Sequence, residues 1–225
     1  MMTSGCERAR IPVLLILCAM ILPGCSGSSG SIFDDDEEAI EKPEKIYTGL
    51  AGMKCAIMIW ADAPTRTEFN QVQVDLARAL QGKLSKPAAE QESSKKQNPA
   101  PQFIDPRSVV RYQREHPEIE GMPITQVALH LGVQRVVYVE LEQLQTQSPR
   151  SILLLKGLAK ATLRVVEVNN GKAAIAFEEP AITADYPRTA REGVAPNDKI
   201  NERTIYEGTL LELARKLAAR LPEKE

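Results

Sequence analysis

The sequence predicts an α/β fold, specifically an α+β sandwich: a mixed sheet with a carboxyl-terminal antiparallel hairpin, packed by amphipathic helices. Three observations predict it. Lys54 to Trp60 (KCAIMIW) is a short, nearly continuous apolar run, as expected of a central strand covered on both faces. Gly157 to Val168 (GLAKATLRVVEV) alternates, with Ala159, Ala161, Leu163 and Val165 on one face, and leads through Asn169-Asn170-Gly171 into Lys172 to Glu178, the pattern of a tight hairpin. Phe69, Val72, Leu76, Leu80 and Leu84, and again Tyr206, Leu210, Leu213, Leu217 and Leu221, recur at helical spacing. Helices before and after a mixed sheet must bury their apolar stripes against it.

The elements follow in order. After the Lys54–Trp60 strand, a turn through Ala61 to Pro64 precedes a helix over 68–85, with Thr65 and Glu68 in capping-box spacing. Lys86 to Pro101 (KPAAEQESSKKQNPAP) loses all periodicity to Pro, Ser, Gln, Glu and Lys, the composition of a disordered, exposed loop inserted within the domain. Gln102 to Asp105 reads as a brief strand, and Pro106 to Glu115 as a short helix with proline in its first turn. Ile124, Val127, Ala128 and Leu131 mark one face of a helix closed by Gly132. Arg135 to Leu144 (RVVYVELEQL) is the next strand, and the chain reverses around Ser148 to Ser151. Pro180 to Lys199 reads as irregular. The last helix follows, with Arg215, Lys216 and Arg220 placed to favour its carboxyl end and Gly208 weakening it slightly.

Ahead of this domain, Arg8 and Arg10 precede an apolar run from Ile11 to Leu22, then Pro23, Gly24 and Cys25, in the order of a secretory signal. About a dozen apolar residues are too few for a mature membrane-spanning helix, which needs roughly 20. The end of the signal, Leu22-Pro23-Gly24-Cys25, resembles the lipobox of bacterial lipoproteins, with Pro23 in place of the usual small or β-branched residue. That resemblance implies cleavage after residue 24 and a diacylglycerol on the sulfur of Cys25, which makes Cys25 the lipid-attachment residue. Two or three acyl chains anchor stably where one does not. Residues 25–45 then read as a flexible acidic tether, Ser-Gly-rich from Ser26 to Ser31 and carrying Asp34-Asp35-Asp36-Glu37-Glu38, with residues 46–225 a single domain. Ser26 follows the acylated position, and the absence of Asp there resembles lipoproteins sorted to the outer membrane, facing the periplasm.

Composition excludes several classes. Loss of Arg8, Arg10 and Glu7 with the signal moves the formal charge only from −2 to −3, far from the basic face that nucleic acid requires. Of four cysteines, Cys6 and Cys18 lie in the signal and Cys25 takes lipid, which leaves Cys55 as a buried, inert thiol with no disulfide partner. His116 and His130 have no partner at metal-ligand spacing, and the chain carries no nucleophile elbow and no phosphate-cradling loop. No cofactor or metal is expected. The best enzymatic alternative pairs Asp62, at the end of a strand, with Glu140 or Asp185. Trp60, Asp62 and Tyr186 are the candidate partner-contact residues, because aromatics concentrate at interface cores. The alternative for Trp60 and Tyr186 is to fill a core in a chain only 4% aromatic.

The Lys54–Trp60 strand leading into the Phe69–Leu84 helix, Val127-Ala-Leu-His-Leu-Gly132 leading into Val136-Val-Tyr-Val-Glu140, and Leu163-Arg-Val-Val-Glu-Val168-Asn-Asn-Gly171-Lys172 before a final helix form a distinctive order. Over about residues 50 to 222 the layout resembles the small α/β domain shared by CsgG-like curli-secretion lipoproteins, the TolB amino-terminal domain, the PelC exopolysaccharide lipoprotein and the LpoB activators of penicillin-binding proteins. The resemblance implies a noncatalytic assembly or secretion scaffold of the cell envelope, in contact with other envelope proteins and able to form homo-oligomers. It departs from the curli-type channel because Lys86 to Pro101 lacks the alternation that a membrane-crossing strand pair of ~10 residues per strand needs. The competing expectations are a regulator docked on a peptidoglycan synthase and, last, a small-ligand-binding or hydrolytic protein.

Overall fold

The computed structural model describes residues 45–85 and 99–222. The signal, Cys25, nearly all of the tether and residues 86–98 of the inserted loop lie outside the described residues. Five strands form one mixed sheet in the order β2-β1-β3-β4-β5: β1 is Lys54–Ala61, β2 Gln102–Phe103, β3 Arg135–Ser148, β4 Ser151–Asn169 and β5 Lys172–Tyr186. β1 runs parallel to β2 and β3, and the last three strands are antiparallel. The helices are α1 (Ala63–Glu68), α2 (Val72–Leu84), α3 (Pro106–Glu115), α4 (Ile124–His130) and α5 (Glu202–Ala218), with a 3-10 turn at Pro117–Gly121 that carried no advance signal.

Burial on both faces explains the unbroken apolar run of β1. Cys55, Ile57, Ile59 and Ala61 face the core under α2 and α5, whereas Ala56 and Met58 face a second core with Val109 of α3 and Val127 and Ala128 of α4. Each fully buried leucine in the larger core, such as Leu76, Leu163, Leu213 or Leu217, contributes about 1.5–3 kcal/mol relative to exposure. Cys55 is one of these core residues, and burial pushes its thiol up to about 12, which leaves it unreactive in the fold.

Three expectations need correction. The helix expected over 68–85 is two helices, because Phe69 leaves helical dihedrals (φ −118°, ψ 74°) and the chain re-enters a helix only at Val72. The cap of the first is Asp62, whose carboxylate accepts from the Thr65 N–H at 3.0 Å, rather than Thr65 itself. Strands β3 and β4 both run further than expected, to Ser148 and from Ser151, and meet at a Pro149-Arg150 turn. Finally, β5 continues through Pro180 to Tyr186, where irregular chain was expected. It can do so because β5 is an edge strand, on which a missing N–H costs little, and because Pro180 and Ala181 (φ 57°) form a bulge between the pairs Leu163↔Glu179 and Ala161↔Ile182. The last residues of the inserted loop are held in place, with the Pro99 carbonyl accepting from Gly52 N–H at 2.6 Å.

The chain enters the domain at one end of the sheet. Tyr47 donates through its backbone N–H to the Arg220 carbonyl at 2.8 Å and through its hydroxyl to Glu167 at 2.7 Å, while Arg135 Nε donates to that hydroxyl at 2.9 Å. At the far end α5 lies directly on β4. A Cβ on Gly157 would sit 1.7 Å from Thr209 Oγ1, so only glycine admits this approach. Helix α5 begins four residues earlier than expected, at Glu202, with Asn201 accepting from Thr204 N–H at 3.0 Å as its cap.

Candidate functional site

The parallel register pairs Cys55 with Arg135 and Ala61 with Leu141, and there β1 ends. Asp62 turns the chain out of the sheet into α1 while β3 continues from Glu142 to Ser148. Among the described residues this continuation has only β4 beside it, so the other edge of its backbone is open. The space that β1 vacates is a groove of ≈ 810 Å³, walled by Gln145 to Pro149 of the arm, the Glu68–Gln71 corner with Asp75, and the first turns of α5.

Its chemistry is specific. Phe69 and Tyr206 stack with ring centroids 5.3 Å apart and planes 11° from parallel, and the Tyr206 hydroxyl donates to Asp75 Oδ2 at 2.9 Å. Burial first, and then this contact with Asp75, pushes the Tyr206 phenol well above its ordinary value, so it stays a neutral donor. Four carboxylates line the groove, those of Glu68, Asp75, Glu202 and Glu207, against one guanidinium, Arg203, whose Nε is bound to Glu207 at 2.8 Å. Thr146, only 7% exposed as a residue, also lines the groove.

The residues singled out from the sequence are not brought together. Trp60, half-buried, lies with Met58, Tyr138 and Ile119 on the α3–α4 face, where they line a smaller cavity of ≈ 240 Å³. Burial, followed by the charge of Glu140, pushes the Tyr138 phenol up to about 12. Tyr186 follows Ile182 and Ala184 on the opposite face and packs under α5, where a Cβ on Gly208 would fall 2.5 Å from its ring. Asp62 is exposed, and its bonds to Thr65 hold its carboxyl below the ordinary value, as in a helix cap. Glu140 pairs with Arg164 at 2.8 Å and Asp185 with Lys156 at 2.9 Å, so each carboxylate of the enzymatic alternative is committed to a separate partner. His116 packs at a tilt of 39° against the Tyr112 ring and binds Glu118 through Nδ1 at 2.9 Å. Among the described residues no group of His, Cys, Asp or Glu side chains is arranged to hold a metal ion, and no helix is long and apolar enough to cross a membrane.

The groove residues carried no motif. Phe69 and Tyr206 each read as the first apolar position of a helix, and only the change in Arg135–Leu144 from continuous to alternating hydrophobicity hinted that this strand loses cover on one side.

No family model and no curated protein matches the chain. Among solved structures it is similar to a hypothetical protein from Chlamydia trachomatis, at 14% identity and TM-score 0.40, covering 74% of this chain and 94% of that one. It is also similar to a lipoprotein from Neisseria meningitidis, at 10% identity and TM-score 0.37, covering 64% and 87%. A third is a PelC dodecamer from Paraburkholderia phytofirmans, at 11% identity and TM-score 0.38, covering 81% and 96%. At these values the likeness is remote.

Proposed function

We propose that the protein is a lipid-anchored module of the cell envelope, tethered through Cys25 on the periplasmic side of the outer membrane, and that it acts as a noncatalytic assembly or secretion scaffold by docking other envelope proteins. One observation carries this reading: the β3–β4 arm extends past the end of β1 with an open backbone edge and an apolar tip. At that tip Ile152 is 85% and Leu153 75% exposed, which is a surface suited to contact rather than to chemistry. The arm also projects away from the point of attachment. The tether joins at the Arg135–Glu167 end, and thirteen strand steps at ~3.3 Å each put the tip on the order of 40 Å from it.

The anchor and the docking role are tested together. Cys25→Ser moves the protein from the membrane fraction to the soluble one and abolishes incorporation of labelled fatty acid; retention of both sinks the lipoprotein reading. In-cell cross-linking of the wild type yields adducts with envelope proteins or with a second copy, and a chain that yields neither is not a scaffold.

A further inference from the structure

We infer that the groove beside β3 receives an extended, arginine-bearing segment of a partner protein, which adds as a strand to the open edge of Glu142–Ser148 in the place β1 vacates. The inference rests on the docking reading above and specifies what is docked. Three independent features converge on it.

The first is the backbone. An open strand edge offers N–H and C=O groups in register to any extended chain, and such pairing supplies affinity without demanding a particular sequence. Gln145 to Pro149 form one wall of the groove as consecutive residues, enough to seat about five residues of a partner at ~3.3 Å each. On the outer edge of β1 the comparable opening is already filled. Beyond Cys55 the outer edge of β1 has no strand beside it among the described residues, and there the Ile59 carbonyl accepts from Gln73 Nε2 at 2.9 Å and Gln113 Nε2 at 3.0 Å. Among the described residues nothing comparable blocks β3.

The second feature is charge. Four carboxylates face one guanidinium that is already paired, so the groove attracts a cation. The third is the aromatic pair. Phe69 and Tyr206 present flat, half-buried ring surface beside those carboxylates, and a planar guanidinium can stack on a ring while donating to a carboxylate, as a compact ammonium cannot do equally well. Thr146 lines the same groove and supplies a hydroxyl for the incoming chain.

The test is calorimetric titration of the full chain in detergent micelles with an end-blocked pentapeptide of alternating valine and arginine. The expected result is saturable one-to-one binding that weakens at least about tenfold when alternate peptide amides are N-methylated, which removes the strand hydrogen bonds. Binding also weakens from about 50 to about 500 mM salt. Exchanging the peptide's arginines for glutamates abolishes it. The double variant Glu68→Lys, Glu202→Lys changes exposed side chains only, keeps the wild-type melting curve, and loses at least about tenfold in affinity. Thr146→Val loses a few-fold. Equal binding of the N-methylated peptide, or of spermidine, overturns strand addition, because charge alone would then suffice. A dimer in solution that the peptide dissociates overturns the choice of occupant in favour of a second copy. Failure of the peptide to bind while the in-cell adducts persist overturns the groove assignment and leaves the docking reading standing; loss of the adducts overturns the docking reading itself.

Discussion

From Arg135 to Leu141, β3 has a strand on each edge and helices over both faces; from Glu142 to Ser148 it has one strand beside it and contributes to only one of the two cores. Burial records the difference. Val136, Val137, Val139 and Leu141 are at most 1% exposed, whereas Glu142, Gln143 and Gln147 are exposed and only alternate residues are covered. The near half is stabilised by apolar area, which is nondirectional and large. The far half has less of it and relies on polar contacts. Lys156, 5% exposed, donates to Asp185 at 2.9 Å and to the carbonyls of Pro187 and Ala190 at 2.6 and 3.0 Å, fastening the chain that follows β5. A stable base with a less covered arm allows the open edge to persist without unfolding the domain.

The sharpest way to break this comparison is to hollow the near half. Leu163→Ala removes a side chain with no exposed surface and is expected to cost about 2–5 kcal/mol in chemical denaturation, with one cooperative transition retained. An equal effect from a comparable truncation in the arm would erase the distinction. Lys156→Met should cost less, about 1–3 kcal/mol, because two partly buried carbonyls lose their donor while the methylene stem still packs. The consequence is local, with amide exchange rising from Pro187 to Val194 and not in β1. Protection lost throughout the sheet would show that the arm is part of the base.

The smallest effect is pH-dependent. Hydrogen bonds from Arg215 and then Arg188 lower the Glu212 carboxyl to about 2, which pins the segment after β5 to α5. Its folded value lies below its unfolded one, so the stabilisation is present above pH 4.5 and is lost as pH falls toward 2. Because both arginines are 52% exposed, solvent screening holds the contribution to about 1 kcal/mol. Glu212→Gln should lower stability at neutral pH by that amount and flatten its fall between those values. An unchanged acid profile would assign the pairing no energetic role.

Hydrophobic period, caps and turn residues are local properties, and they made the element types legible before any tertiary contact was considered. A nearly continuous apolar run identified β1, Asn169-Asn170-Gly171 identified the β4–β5 turn, where Asn170 (φ 51°) and Gly171 (φ 74°) both take left-handed backbone, and leucine spacing identified α2 and α5. Leu22 to Cys25 likewise carries its resemblance to a lipobox in four adjacent residues. Tertiary structure alone decided where β1 stops relative to β3, and hence that a groove exists, because strand register depends on two segments far apart in the chain. It decided that Phe69 breaks a helix to meet Tyr206, and that Trp60 and Tyr186, both plausible interface aromatics by type, lie on opposite faces of the sheet. Side-chain direction in a strand has a period of two, but which face meets which helix is set by packing across the whole domain.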